Sequence, residues 1–146
     1  MQAAYEIREF RNEDYGSLIQ LWEITGMGGS ERGDNLEVIK STIISGGKLY
    51  IMINSCGIII GSSWISKDGR RSYIHHFAIH PNYQGRGLSK DLLEKSLDYC
   101  RILGHQVKIE VHSENLKALN LYKSYGFSEL NNYGVYIIRD IGKKKP

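Results

Sequence analysis

The sequence predicts an α/β (α+β) fold with a mixed, mostly antiparallel central sheet and helices on both of its faces. Three observations predict it. Helix-like and strand-like apolar periodicities alternate along the chain instead of segregating. Three apolar strand patterns between residues 48 and 79 are joined by short polar turns, the signature of an antiparallel meander. From residue 79 to residue 107 the chain reads strand, helix, strand, and a strand pair joined by such a crossover is parallel.

The elements follow in the order β-α-α-β-β-β-α-β-α-β. "YEIREF" alternates Tyr5 and Ile7 against Glu6 and Arg8 and opens the sheet. Asn12 is a favourable N-cap, Glu13 and Asp14 suit the positive end of a helix, and Leu18, Ile19, Leu21 and Trp22 recur at helical spacing until Gly26. A glycine-rich loop, residues 26–34, leads to a second helix over Leu36–Ile44, ended by Gly46-Gly47. "KLYIMIN" and "GIIIGSSWIS", joined at Ser55-Cys56-Gly57, form a hairpin, and "SYIHHFAI" completes the meander after "KDGRR". Leu88, Leu92, Leu93, Leu97, Cys100 and Leu103 make the stripe of a long helix that Gly104 stops. "QVKIEVH" is the next strand, "NLKALNLYKSY" a short helix closed by Gly126, and "YGVYIIRDI" the last strand.

A chain of 146 residues with 41% apolar and 24% charged residues has the size and core of one domain, residues 1–146. The net charge of +3 is too small to argue for nucleic acid and suits an anionic small ligand. Part of it sits in "GKKKP", 142–146, read as a flexible solvated tail. Cys56 and Cys100 have neither metal spacing nor a disulfide framework, so no metal is expected. The first residues lack a basic-then-apolar leader pattern and no apolar run reaches membrane length, which predicts a cytoplasmic protein with no membrane partner.

The chemistry concentrates in "HPNYQGRGLSKD". A strand stops at His80-Pro81, and Gln84-Gly85-Arg86-Gly87 leads straight into a helix. The first turn of a helix presents unpaired N–H groups and about half a positive charge, so this junction is an anion site. Glycine lets a phosphate approach the backbone and takes φ values that other residues avoid. Arg86 and Lys90 add charge at its mouth. A Walker loop is excluded, because Gly87-Leu88-Ser89-Lys90 has the wrong order, and so is a dinucleotide fingerprint, because Lys90 stands where its third glycine belongs.

Gln84-x-x-Gly87-x-Ser89 resembles the Gln/Arg-x-x-Gly-x-Gly/Ala signature of the GNAT acetyltransferase superfamily, with serine where glycine or alanine is usual. "SENLKALNLYKSYGF" resembles the family's downstream motif, and "IREFRNEDYGSLIQLW" its opening strand and helix. The resemblance implies a cosubstrate, acetyl-CoA, and an amine acceptor. The pyrophosphate is expected on Gly85, Arg86, Gly87, Leu88, Ser89 and Lys90, after Gln84. The pantetheine arm is expected along Phe77, Ala78 and Ile79, with Asn115, Ala118 and Tyr122 on its other side. The parallel pair is expected to splay there.

Transfer to an amine needs a neutral nucleophile, a stabilised oxyanion and a proton for the departing thiolate. Tyr122 stands at the family's tyrosine position and is the expected acid. "KIEVHSENLKALNLYKSYGF" closely resembles ribosomal-protein N-terminal (alanine) acetyltransferases, which implies Glu110 as proton acceptor. His75 and His76 are rivals, one of them at most facing the substrate, since adjacent strand residues alternate. The base, whether one of these three or a water, stays open, as do the acceptor (protein N-terminus or small amine) and the oligomeric state, a homodimer included. A non-catalytic acyl-CoA binding or sensing module is the alternative reading.

Overall fold

The computed structural model describes residues 4–28 and 32–142, which form parts of two compact units, Met1–Glu110 and Val111–Pro146. Of the expected basic tail, 142–146, residues 143–146 lie outside the described residues.

The first unit carries β1 (Tyr5–Glu9), α1 (Tyr15–Ile24), α2 (Leu36–Ile44), β2 (Lys48–Asn54), β3 (Ile59–Lys67), β4 (Arg71–Ile79), α3 (Leu88–Leu103) and β5 (Gln106–Ile109). The five strands lie in chain order, β1 to β4 antiparallel and β4 parallel to β5. Ser62 and Ser63 of β3 show how the layers sit. Ser62 Oγ accepts from Trp22 Nε1 of α1 at 2.9 Å, and Ser63 Oγ accepts from Ser96 Oγ of α3 at 2.7 Å. Successive strand residues point to opposite faces, so α1 and α3 cover opposite sides of the sheet. α2 joins α1, with Leu18, Leu21, Trp22 and Ile39 packed on Leu49, Ile51 and Trp64. On the α3 side Leu92, Leu93 and Cys100 are enclosed, as their stripe requires. Each such fully buried aliphatic side chain contributes roughly 1.5–3 kcal/mol.

Three local expectations change. The first helix enters through a 3-10 turn, Asn12–Asp14, so Asn12 is not its N-cap. Asp14 does more than favour a helix dipole: its carboxylate accepts from Arg11 N at 2.7 Å and pairs with both Arg8 guanidinium nitrogens at 2.8 and 3.0 Å. β5 ends at Ile109, so Glu110 lies just past the strand instead of on it. Its ladder with β4 has its last rung at Ile74–Ile109, and a strand without a rung is not held extended.

The second unit holds α4 (Leu116–Ser124), which Asn115 caps by accepting from Ala118 N at 3.2 Å. The expected final strand is absent: residues 128–142 contain none. Val135 and Ile137 alternate with Tyr136 and Ile138, so neither face of such a strand would be the solvent face. All four side chains are exposed, Tyr136 by 93%.

Candidate active site

The glycine loop has the geometry that its sequence implies. Gly85 and Gly87 take φ of +79° and +78°, the left-handed region that glycine enters freely. A Cβ built on either would project into open space, with no atom within 4 Å. That is the space an anion needs to reach the backbone. Gly87 caps α3, and no side chain accepts from the first-turn N–H groups. By contrast, Asn35 caps α2, accepting from Val38 N at 2.9 Å. Gln84 Nε2 donates to Ile79 O at 3.0 Å and ties the loop to the end of β4. Arg86 donates to Asn82 O at 3.2 Å and lies 5.0 Å from the Tyr83 ring centre. Leu88 is buried and anchors the helix start, Ser89 is half-buried, and Lys90 is exposed.

β4 runs on to Ile79, beyond its last rung with β5 at Ile74–Ile109. Phe77, Ala78 and Ile79 lie on that stretch. Its other ladder, with β3, carries a bulge: Trp64 pairs with His75 and Ser62 with Ala78, so Ser63 stands opposite both His76 and Phe77. His76 has φ of +48°, unusual outside glycine.

The bulge overturns the expectation that the two histidines face opposite ways. Both rings lie against Trp64, at 6.2 Å for His75 and 5.5 Å for His76. One inserted residue breaks the period of two. His75 Nε2 is 2.8 Å from Ser66 Oγ. Although solvent reaches part of His75, the groups crowded around its ring desolvate it and hold its imidazole below the ordinary range. The charge of His76 adds to that, and Glu110 and Asp34 oppose it. Glu110 is exposed beside this cluster.

His76 is the most tightly held of the candidates. Its Nε2 donates to Asp34 Oδ2 at 2.7 Å, and its ring meets Trp22 edge-on at 4.5 Å. Its carbonyl accepts from Ser62 Oγ at 2.7 Å. Asp34 and Trp22 were not legible as site residues. In sequence Asp34 reads as one more polar residue before a helix cap, and Trp22 as core.

In the second unit Tyr122 is buried on α4, with Phe127 edge-on at 5.7 Å. Burial pushes its phenol up to about 12, so it keeps its proton at neutral pH. Asn115 and Ala118 share the N-terminal turn of the same helix, where the Asn115 carbonyl oxygen serves as its cap. Among the described residues no group of His, Cys, Asp or Glu is placed to hold a metal ion, and no helix is long and apolar enough to cross a membrane.

The chain matches known proteins in sequence and in fold. The Acetyltransferase (GNAT) domain matches residues 31–135. The chain belongs to the GNAT acetyltransferase family. A curated relative, the N-alpha-acetyltransferase RimI of Mycobacterium tuberculosis, is 38% identical over 85 residues, which cover 56% of this chain and 52% of that protein. The match thus spans about half the length of that relative. A GNAT acetyltransferase from Staphylococcus aureus Mu50 superposes with a TM-score of 0.78 at 22% identity, over 88% of this chain and 86% of its own. The yncA protein of Salmonella typhimurium, solved with its cofactor acetyl-CoA, superposes with a TM-score of 0.72 at 20% identity, over 86% and 80%. At these identities the two structures establish that the GNAT fold is shared.

Proposed function

We propose that this GNAT domain is an N-acetyltransferase that moves an acetyl group from acetyl-CoA directly to a primary amine. The observation that carries the reading is the end of β4, past its last rung with β5, leading into a glycine-lined helix start with no side-chain cap. The N–H groups of Gly85 to Lys90 hold the pyrophosphate, the backbone of Phe77, Ala78 and Ile79 lies along the pantetheine arm, and Asn115 is a further contact for the arm. The conjugate needs no metal: the thioester is already activated, and backbone N–H groups near the bulge stabilise the oxyanion. A candidate base, one of His75, His76, Glu110 or a water, takes a proton from the bound ammonium. The neutral amine attacks the thioester carbon, the C–S bond breaks, and Tyr122 gives the thiolate its proton.

The acceptor we favour is the N-terminal amine of a protein, supported by the partial identity to RimI. Both described cysteines are free thiols, which fits a cytoplasmic enzyme. The test is release of CoA thiol over a panel of peptide N-termini and small amines. Amine-dependent release, greatest with peptides, supports the reading. Tight acetyl-CoA binding without release from any amine would make the domain an acyl-CoA binding module instead.

A further inference from the structure

A cavity of about 540 Å³ lies between α1 and the segment leading to α2, lined in part by Tyr15, Trp22, Glu23, Arg32 and Asp34. Two of its lining residues, Trp22 and Asp34, also touch His76, at a 4.5 Å ring separation and a 2.7 Å hydrogen bond. His76 of β4 thus contacts two residues of the cavity wall.

Everything around His76 fixes it. Its backbone is in the left-handed region, at φ of +48°, which costs a non-glycine residue of order 1 kcal/mol or more. That conformation is held at the carbonyl by Ser62, whose own oxygen accepts from Trp22 Nε1. The ring lies edge-on to Trp22 and Trp64, which stack on each other, and is bonded to a carboxylate whose side chain is only 8% exposed. Strain maintained by so many contacts marks a group whose orientation matters. Asp34 has no other described ion pair or side-chain hydrogen bond, so a buried carboxylate is spent on this one ring nitrogen.

From this geometry we infer that His76 is the base and Asp34 its positioning residue. The inference rests on the acetyltransferase reading above. Asp34 accepts from Nε2–H, which selects the tautomer with its lone pair on Nδ1. Nδ1 takes one proton from the acceptor ammonium, and Asp34 faces the imidazolium that results. The amine nitrogen then bonds to the thioester carbon as the C–S bond breaks. The second amine proton passes to solvent water as the amide forms, and the Tyr122 phenolate, having given its proton to sulfur, regains one from solvent. The imidazolium returns its proton to water. The other titratable or charged groups near this path are Glu23 and Arg32, which line the cavity, and His75 and Glu110, each next in sequence to the last rung of the β4–β5 ladder.

The experiment compares the parent with Asp34→Asn, Asp34→Glu, His76→Gln and the Asp34→Asn/His76→Gln double variant. It reads the imidazole tautomer by ¹⁵N NMR, acetyl-CoA affinity by calorimetry, and kcat and KM by thiol release. The parent should show His76 protonated on Nε2, and Asp34→Asn should populate the other tautomer. His76→Gln should lose about a hundredfold or more in kcat, in the range of general base catalysis, with acetyl-CoA affinity kept. Asp34→Asn should lose about tenfold or more in kcat, Asp34→Glu should restore part of that loss, and the double variant should be no slower than His76→Gln. Losses that multiply in the double variant, or a parent-like tautomer and kcat in Asp34→Asn, would overturn the pair while leaving acetyl transfer intact. A parent that binds acetyl-CoA yet acetylates no amine would overturn the acetyltransfer reading, and the base with it.

Discussion

The glycine loop at 84–90 and the bulge at His76 lie on the same strand-to-helix run and are built in opposite ways. The loop is local. Gly85 and Gly87 take their φ of +79° and +78° because they are glycines, and the helix that follows supplies its N–H groups whatever surrounds it. The bulge is non-local. A histidine holds φ of +48° because Ser62, Trp22, Trp64 and Asp34, from three other parts of the chain, leave it no other place. A glycine-lined helix start can thus be written in seven consecutive residues, whereas the orientation of a strained histidine has to be assembled by the fold.

The largest expected effect breaks the local half. Gly87→Glu puts a carboxylate into the open space above the cradle and a non-glycine residue at φ of +78°. Acetyl-CoA binding should vanish in calorimetry while circular dichroism still shows a folded domain. Gly87→Asn is the control, since asparagine tolerates the left-handed region and adds no charge, and its loss should be smaller.

The same division decided what the sequence could disclose. Leu36–Ile44, Lys48–Asn54 and Leu88–Leu103 were legible to the residue, because apolar period and flanking glycines or caps are local signals. The glycine turn and the helix start after it were legible for the same reason. The bulge was not: "SYIHHFAI" contains no glycine and reads as an unbroken strand. The early end of β5 and the missing strand at 133–141 depend on whether a ladder partner is present, which alternation cannot report. Asp34 becomes a site residue only when the fold brings it to His76, 42 residues away.

Next in size is Tyr122→Phe, which removes one hydroxyl and keeps the ring beside Phe127. We expect kcat to fall by about a hundredfold to ten-thousandfold with little change in acetyl-CoA affinity. With the phenol pushed up to about 12, no rate-limiting ionisation of Tyr122 should show below pH 10.

Ser62→Ala sharpens the non-local half. It leaves Trp22 Nε1 without its acceptor in the core and the His76 carbonyl without its donor. Urea denaturation should show a loss of roughly 1–3 kcal/mol, the cost of an unsatisfied buried polar group.

The smallest effect concerns the corner between β1 and α1. The hydrogen bonds from Arg8 hold the Asp14 carboxyl below the ordinary carboxylate value. A group whose folded pKa is depressed contributes stability above its unfolded pKa, about 3.9, and loses it as pH falls through the folded one. The urea midpoint should therefore drop on acidification below about pH 4–5, and Arg8→Met should flatten that drop.

The separation of cradle from base is tested most directly by titrating acetyl-CoA into His76→Gln. The imidazole belongs to the acceptor side and the cradle to the loop, so the variant should bind acetyl-CoA with the parent's affinity while its turnover is lost. An affinity reduced as far as that of Gly87→Glu would contradict the account.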